Sequence, residues 1–426
     1  MSAAKPTIYA IDFGTSNSLL AAANSTRVFA PIVLDPAAVD PTVMRSAVFS
    51  LSRDAWTFGQ EAVDLYAEQA SEGRFFRSLK KFLPDPGFQG THVHGKNYSI
   101  IDLVSLFLKD MRQKANQFFD TDVTNVILGR PAAFSLDPKN DDLAERRLEA
   151  AAQLAGFKMV SFCHEPVAAA YEYQKQMSKE QTVLIADFGG GTSDFSILRM
   201  GPRAIQREDI LSIGGISLAG DAYDGSLMKH RISPHFGSHV RYKMPSGSNV
   251  LEVSSFLIAK LNSPADISFL GRRDVMSLLE NLKRWSLGPE DKKRMSQLIA
   301  LAEEGLGFSI YKQIESTKKD LSTAAASMFS YHHDAGIDVE EVIKAQDFEN
   351  FSEDITDRIM TVLQNVLQSA QVRPEQIDLV CLTGGTAQLK GIKNQLETVF
   401  GQEKVHKFQF FHSIISGLAE KAKEIA

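Results

Sequence analysis

The sequence predicts an α/β protein built from two similar lobes, and three observations carry that expectation. Two segments far apart share one design: Asp12-Phe13-Gly14-Thr15-Ser16-Asn17-Ser18 near the start and Asp187-Phe188-Gly189-Gly190-Gly191-Thr192-Ser193-Asp194 in the middle. Each follows an apolar run of β type, residues 7–11 and 182–186, so each aspartate falls at a strand end with a Gly/Thr turn after it. Strand and helix patterns also alternate along much of the chain, which indicates parallel α/β layers. At 426 residues the chain is too long for one core and suggests two to four domains.

The turns carry the chemistry. Glycines let backbone N–H groups approach phosphate oxygens, and the Thr and Ser hydroxyls add donors. A carboxylate beside such a loop repels phosphate unless a cation lies between them, so Asp12 and Asp187 imply Mg²⁺. Two copies imply two lobes facing one phosphate chain.

In order along the chain, residues 8–23, 27–34 and 47–51 read as three strands in a meander, separated by Asn24-Ser25-Thr26 and the Pro/Asp-rich residues 35–42. Phe58-Gly59-Gln60-Glu61-Ala62 opens a helix to about Ala70, and residues 75–82 form a basic, aromatic segment. Ser99 with Asp102 is a capping-box variant that starts an amphipathic helix to about Phe119. A strand at 124–128, a helix at 144–155 closed by Gly156, a strand at 159–162 and a helix at 168–176 follow. Residues 224–308 are mostly helical and charged. Thereafter come a helix at 310–321, a strand at 327–331, one long helix at 348–370, a strand at 377–382 ending in Thr383-Gly384-Gly385-Thr386, and a final helix at 413–424.

Composition narrows the function classes. A net charge of −6 and pI near 6.0 lack the basic footprint that nucleic acid requires. Cys163 and Cys381 have no C-x-x-C spacing, which favours neither a disulfide framework nor a zinc site. A polar residue 1–6 start and the lack of any run of about 18 apolar residues point to a cytoplasmic protein without a membrane partner. The spacing in Gly90-Thr91-His92-Val93-His94-Gly95-Lys96 imitates a P-loop, but Asn97 replaces the metal-binding hydroxyl, and a hairpin turn at His94-Gly95-Lys96 is the better reading. Adjacent His332 and His333 at a strand end point to opposite faces and read as structural.

The two loops, His164-Glu165-Pro166-Val167-Ala168-Ala169-Ala170 and Gly384-Gly385 together resemble the actin-like ATPases, with their ribonuclease-H-like duplicated domains. Within them the chain is similar to the heat-shock protein 70 (DnaK) family, through Ser78-Leu79-Lys80-Lys81-Phe82-Leu83, Arg130-Pro131-Ala132-Ala133-Phe134, Gly214-Gly215 with Leu218-Ala219-Gly220-Asp221-Ala222-Tyr223-Asp224, and Glu315-Ser316-Thr317-Lys318-Lys319-Asp320-Leu321-Ser322. The likeness covers the family's nucleotide-binding half and resembles its short, YegD-like branch, without a peptide-gripping β-sandwich.

That resemblance implies ATP/ADP with Mg²⁺ in a central cleft and slow, chaperone-like ATP hydrolysis, the alternatives being a filament-forming ATPase or a small-molecule kinase of the same superfamily. It implies Asp12 and Asp187 as holders of hydrated metal and Lys80, Glu165, Asp194 and Thr192 as catalytic groups. Gly14, Thr15, Ser16, Gly189, Gly190, Gly191 and Thr192 would bind phosphates, and Gly220, Glu315, Lys318, Lys319, Ser322, Gly384, Gly385 and Gln388 the rest of the nucleotide. Pro131 would relay nucleotide state between lobes. Lobe I is expected at 1–181 with a peripheral part at 39–102, lobe II at 182–405 with a peripheral part at 218–347, and residues 406–426 returning toward lobe I. Protein partners, a co-chaperone or client, are expected on the lobe surfaces. Three departures stand out: Lys319 and Gln388 replace two adenine-stacking arginines, residues 224–315 carry an insertion, and Phe410-Phe411-His412 replaces an acidic turn.

Overall fold

The structure is a computed structural model that describes residues 5–53, 55–69, 73–135, 137–174, 177–203, 205, 207–245, 247–407 and 412–426. Apolar alternation and the Gly14 turn fold β1 (Ile8–Phe13) against β2 (Asn17–Ala23), and the two-residue β3 (Val28–Phe29) continues the antiparallel order. The chain touches β2 once more through β4 (Met44–Arg45) and then leaves the sheet. β5 (Ala47–Ser52), β6 (Ala55–Phe58) and β7 (Arg74–Arg77) form a separate sheet that packs on α1 (Gly59–Gln69). The expected three-strand meander is therefore wrong in its last strand. Residues 35–43 carry the chain off the sheet edge, and only Val28 and Phe29 of the 27–34 run pair.

β8 (Thr91–Val93) and β9 (Lys96–Tyr98) close a hairpin over His94 at φ 46° and Gly95 at φ 83°, so the P-loop-like spacing is a turn. Ser99 and Asp102 exchange both capping-box bonds at the start of α2 (Ile100–Phe119). β10 (Asn125–Arg130), α3 (Pro138–Leu154), β11 (Met159–His164) and α4 (Glu165–Gln174) follow, with β10 and β11 adding in parallel to β1. α3 starts earlier than periodicity suggests because Asp137 caps it and Pro138 occupies its first position.

The second half repeats this plan. β12 (Gln181–Phe188), β13 (Ser193–Met200) and β14 (Ile210–Ile216) are antiparallel neighbours. A mainly helical excursion then runs through α5 (Gly220–Leu227), the hairpin β15 (Arg241–Lys243) and β16 (Val250–Glu252), α6 (Ser255–Leu261), α7 (Arg273–Trp285), α8 (Pro289–Glu303) and α9 (Gly307–Leu321), to the hairpin β17 (Ala326–His333) and β18 (Ile337–Lys344). α10 (Ala345–Phe351) and α11 (Glu353–Ala370) replace the single long helix expected at 348–370. Ser352 interrupts it, turning its hydroxyl back onto the Phe348 carbonyl. β19 (Leu379–Thr383), α12 (Lys390–Phe400) and β20 (Val405–Lys407) complete a sheet in which β19 and β20 run parallel to β12, and α13 (Ser413–Ile425) follows.

The strand orders β11-β10-β1-β2-β3 and β14-β13-β12-β19-β20 are the same arrangement, three antiparallel strands flanked by two parallel ones. Both sheets are thus mixed rather than wholly parallel. The helices that close each half pack against one another between the sheets: α13 lies on α4, β1, β2 and β10, while α4 also touches β12 and β13. Their buried faces, Val167 to Tyr171 on α4 and Ile415, Leu418, Ala419 and Ala422 on α13, share one core with Ile185, Leu198 and Cys381. Phe410 and Phe411, with Ala70 and Gln176 at two expected helix ends, lie outside the described residues.

Candidate functional site

The two glycine turns lie where β1 meets β2 and β12 meets β13, at the same edge of the two sheets, and they face each other. A Cβ on Gly190 would sit 2.6 Å from the Ser16 hydroxyl, and one on Gly191 would sit 2.7 Å from that of Thr15. Gly14 is equally constrained, since a Cβ there would meet the Asn17 carbonyl at 2.2 Å. The second turn is closed by the Gly189 N–H donating to Thr192 O at 2.9 Å. Between the turns opens a cleft of about 690 Å³.

At its floor Lys80 Nζ donates to Glu165 Oε1 at 2.6 Å, and both side chains are buried. Lys80 follows the left-handed Ser78 at the end of β7, and Glu165 is the first residue of α4, so the pair ties the peripheral sheet to the central helix. A solvated lysine is thereby ruled out. Burial alone lowers the ammonium, but Glu165 and Asp12 together carry it above its ordinary range. The carboxyls move up as well: burial, reinforced by Glu165, pushes Asp12 to about 8 and Asp194 to about 8. Burial raises Asp187 to about 6 against the Thr383 hydroxyl, which donates to Asp187 Oδ1 at 2.8 Å. Four carboxyls surround one buried ammonium, a deficit of positive charge that a divalent cation would fill. Among the described residues no three Asp, Glu, His or Cys side chains converge as direct metal ligands.

On the far side of the cleft, α9 presents Glu315, Lys318 and Lys319, and Ser322 caps its C-terminus. Lys318 is buried, pairs with Asp224 at 2.8 Å and donates to Gly220 O at 3.1 Å, so it braces α9 against α5. Lys319 is exposed and pairs with Glu315 at 2.7 Å. The Ser322 hydroxyl donates to Lys318 O at 3.2 Å. Opposite, Gly384 adopts φ +81° where a Cβ would meet Phe188 O at 2.2 Å; Gly385 faces open space, and Gln388 is exposed. Thr386 Oγ1 donates to Gly189 O at 2.9 Å and fastens this turn to the second glycine loop.

All the residues expected from the sequence line the cleft except Asp194. Asp194 is fully buried behind Thr192 and accepts from the Ala132 N–H at 2.6 Å, the residue after Pro131. With Ser217 Oγ donating to Phe134 O at 2.8 Å, it links the two halves. Sequence reading gave no role to Asp221, Asp224, Thr383 or Lys81. Lys81 pairs with Asp221 at 2.6 Å, joining the halves, and both residues lie within the family-like segments, next to Lys80 and Gly220. Their chain positions gave no sign that they meet.

Two sheets of repeated strand order with facing glycine turns are consistent with an actin-like ATPase fold. The model of the family described as "Hsp70 protein" matches residues 82–243 and 300–422, and the chain belongs to the Hsp70 family. It is 25% identical to a chaperone protein HscA homolog of Verminephrobacter eiseniae over 98% of this chain and 58% of that protein. It is also 22% identical to the chaperone protein DnaK of Thermosipho melanesiensis over 100% of this chain and 60% of that one. The chain thus spans about 60% of the length of these relatives. Residues 244–299, from before β16 through most of α8, fall between the two matched stretches. Among the described residues no helix is long and apolar enough to cross a membrane.

Proposed function

We propose that this chain binds ATP with Mg²⁺ in the cleft, hydrolyses it slowly in the cytoplasm, and acts as a chaperone-like switch whose open and closed states bind a protein partner differently. The observation that carries the reading is the buried Lys80–Glu165 pair on the floor between two facing glycine turns. N–H and hydroxyl groups of Gly14, Thr15, Ser16 and Gly189 to Thr192 receive the phosphates, and Gly220, Glu315, Lys318, Lys319, Ser322, Gly384, Gly385 and Gln388 bound the nucleoside. Asp12 and Asp187 would hold Mg²⁺, which when bound offsets the phosphate charge.

Lys80 offers a compact cation to the γ-phosphoryl oxygens as negative charge develops on them. Glu165, held by Lys80, and Thr192 orient water, whose oxygen bonds to the γ-phosphorus as the bond to the β–γ bridging oxygen breaks. ADP keeps that electron pair, and the water's proton passes to the surrounding carboxylates and bulk. Asp194 acts indirectly: it holds Thr192 and the Ala132 backbone, so a change at the phosphates reaches the Pro131 turn of the other half. Such coupling must be reciprocal, with a partner that prefers one state altering nucleotide affinity.

ADP formation from ATP by the purified chain tests the proposal. Lys80→Ala should lower turnover at least tenfold with ADP affinity nearly intact, because its role is on the transferring group. Equal loss of binding and turnover, or no change, would reduce Lys80 to a structural ion pair.

A further inference from the structure

Behind the second glycine turn lies a second cavity of about 370 Å³, and only a thin partition separates it from the cleft. Gly191 and Asp221 line both spaces. Gly191 has no side chain to thicken the wall, and Lys81 lies across it, its Cε 3.2 Å from where a Cβ of residue 191 would be. The rest of the partition is the Lys81–Asp221 ion pair, 2.6 Å long. Its two ends belong to different halves: Lys81 follows β7, and Asp221 begins α5. Relative movement of the halves would part this pair and join the cavities. At the outer rim stand Lys229, His230 and Asp354, all exposed.

We propose that this cavity is the exit for inorganic phosphate, a route separate from the mouth through which nucleotide enters and leaves. The inference rests on the ATP-hydrolysing reading above. Hydrolysis at the Lys80 floor produces phosphate at the closed end of the cleft, while ADP, held between α9 and the Gly384 turn, still fills the way out. Phosphate carries one to two negative charges near neutral pH. Lys81 can exchange Asp221 for a phosphate oxygen, and Lys229 is the next cation along the path. A gap over a glycine passes a tetrahedral ion and retains the nucleotide. Asp354, at the start of α11, opposes Lys229 and His230 at the rim and keeps the outer end from trapping the anion.

A single-turnover experiment separates the steps: rapid quenching follows ADP formation, and a fluorescent phosphate-binding sensor follows release. Lys229→Glu and Asp354→Trp, one reversing a rim charge and the other obstructing the rim, should slow phosphate release at least fivefold with ADP formation and ADP dissociation unchanged. Lys81→Ala should speed release, a change of sign that general loss of stability does not give. ADP formation with wild-type phosphate release in both rim variants overturns the exit and leaves the ATPase reading standing. A wild-type protein that forms no ADP overturns the ATPase reading itself, and the exit falls with it.

Discussion

In the proposed nucleotide site Gln388 and Lys319 bound the base, and neither offers a planar guanidinium. Lys319 is already engaged with Glu315, and Gln388 is exposed at the cleft wall. A cation stacked on an aromatic face contributes about 0.5–2 kcal/mol, so Gln388→Arg should tighten ATP binding several-fold to tenfold and raise the preference for ATP over GTP. Titration of both nucleotides measures this; unchanged affinity and preference would mean that residue 388 does not face the base. A second residue-scale effect concerns His164, which precedes Glu165. Burial, with Arg130 adding, lowers its imidazole to about 4 against an opposing pull from Asp141. Since the folded form resists the proton that the unfolded chain accepts near pH 6.5, His164 costs stability as pH falls from there toward 4. Denaturant unfolding at pH 7 and pH 5 should differ by about 1–2 kcal/mol more in the wild type than in His164→Gln. An identical pH difference in both proteins would remove His164 from the acid response.

At the scale of elements, the crossing of α4 and α13 positions the cleft, because each helix belongs to one half and packs toward the other. Their approach depends on Gly417: a Cβ there would lie 1.8 Å from Ala168 O, too close for any side chain. Gly417→Val should therefore force the helices apart and cost about 1–3 kcal/mol or more, a drop of several degrees in melting temperature with weakened nucleotide binding. An unaltered melting temperature would show that the helices shift apart freely. The sequence placed a final helix at 413–424, yet Gly417 reads there only as a poor helix former. Its use emerges from a contact some 250 residues away in the chain. The same limit applies to β5, whose reading as a strand did not identify its neighbours, and to Ser352, where the expected helix ran on through a turn at φ −110°, ψ 9°. By contrast, Asp12, Asp187 and the glycine turns were legible because each is a local strand-end pattern, and their duplication marked the two halves. Lys80 could be placed in the cleft only through family likeness; its immediate neighbours suggest a surface charge cluster, whereas folding buries it against Glu165.

For the whole molecule, the central claim is that two halves enclose one nucleotide through one shared ion. The floor of the cleft sets Asp12, Asp187 and Glu165 against the single Lys80 ammonium, so on this account phosphates and these carboxyls become compatible only when a divalent cation accompanies the nucleotide. Calorimetric titration of ATP into the wild type, Asp12→Asn and Asp187→Asn, each with and without Mg²⁺, tests this most directly. Mg²⁺ should tighten binding to the wild type at least tenfold, and that gain should disappear in both variants. Equal tightening by Mg²⁺ in all three proteins would contradict the account.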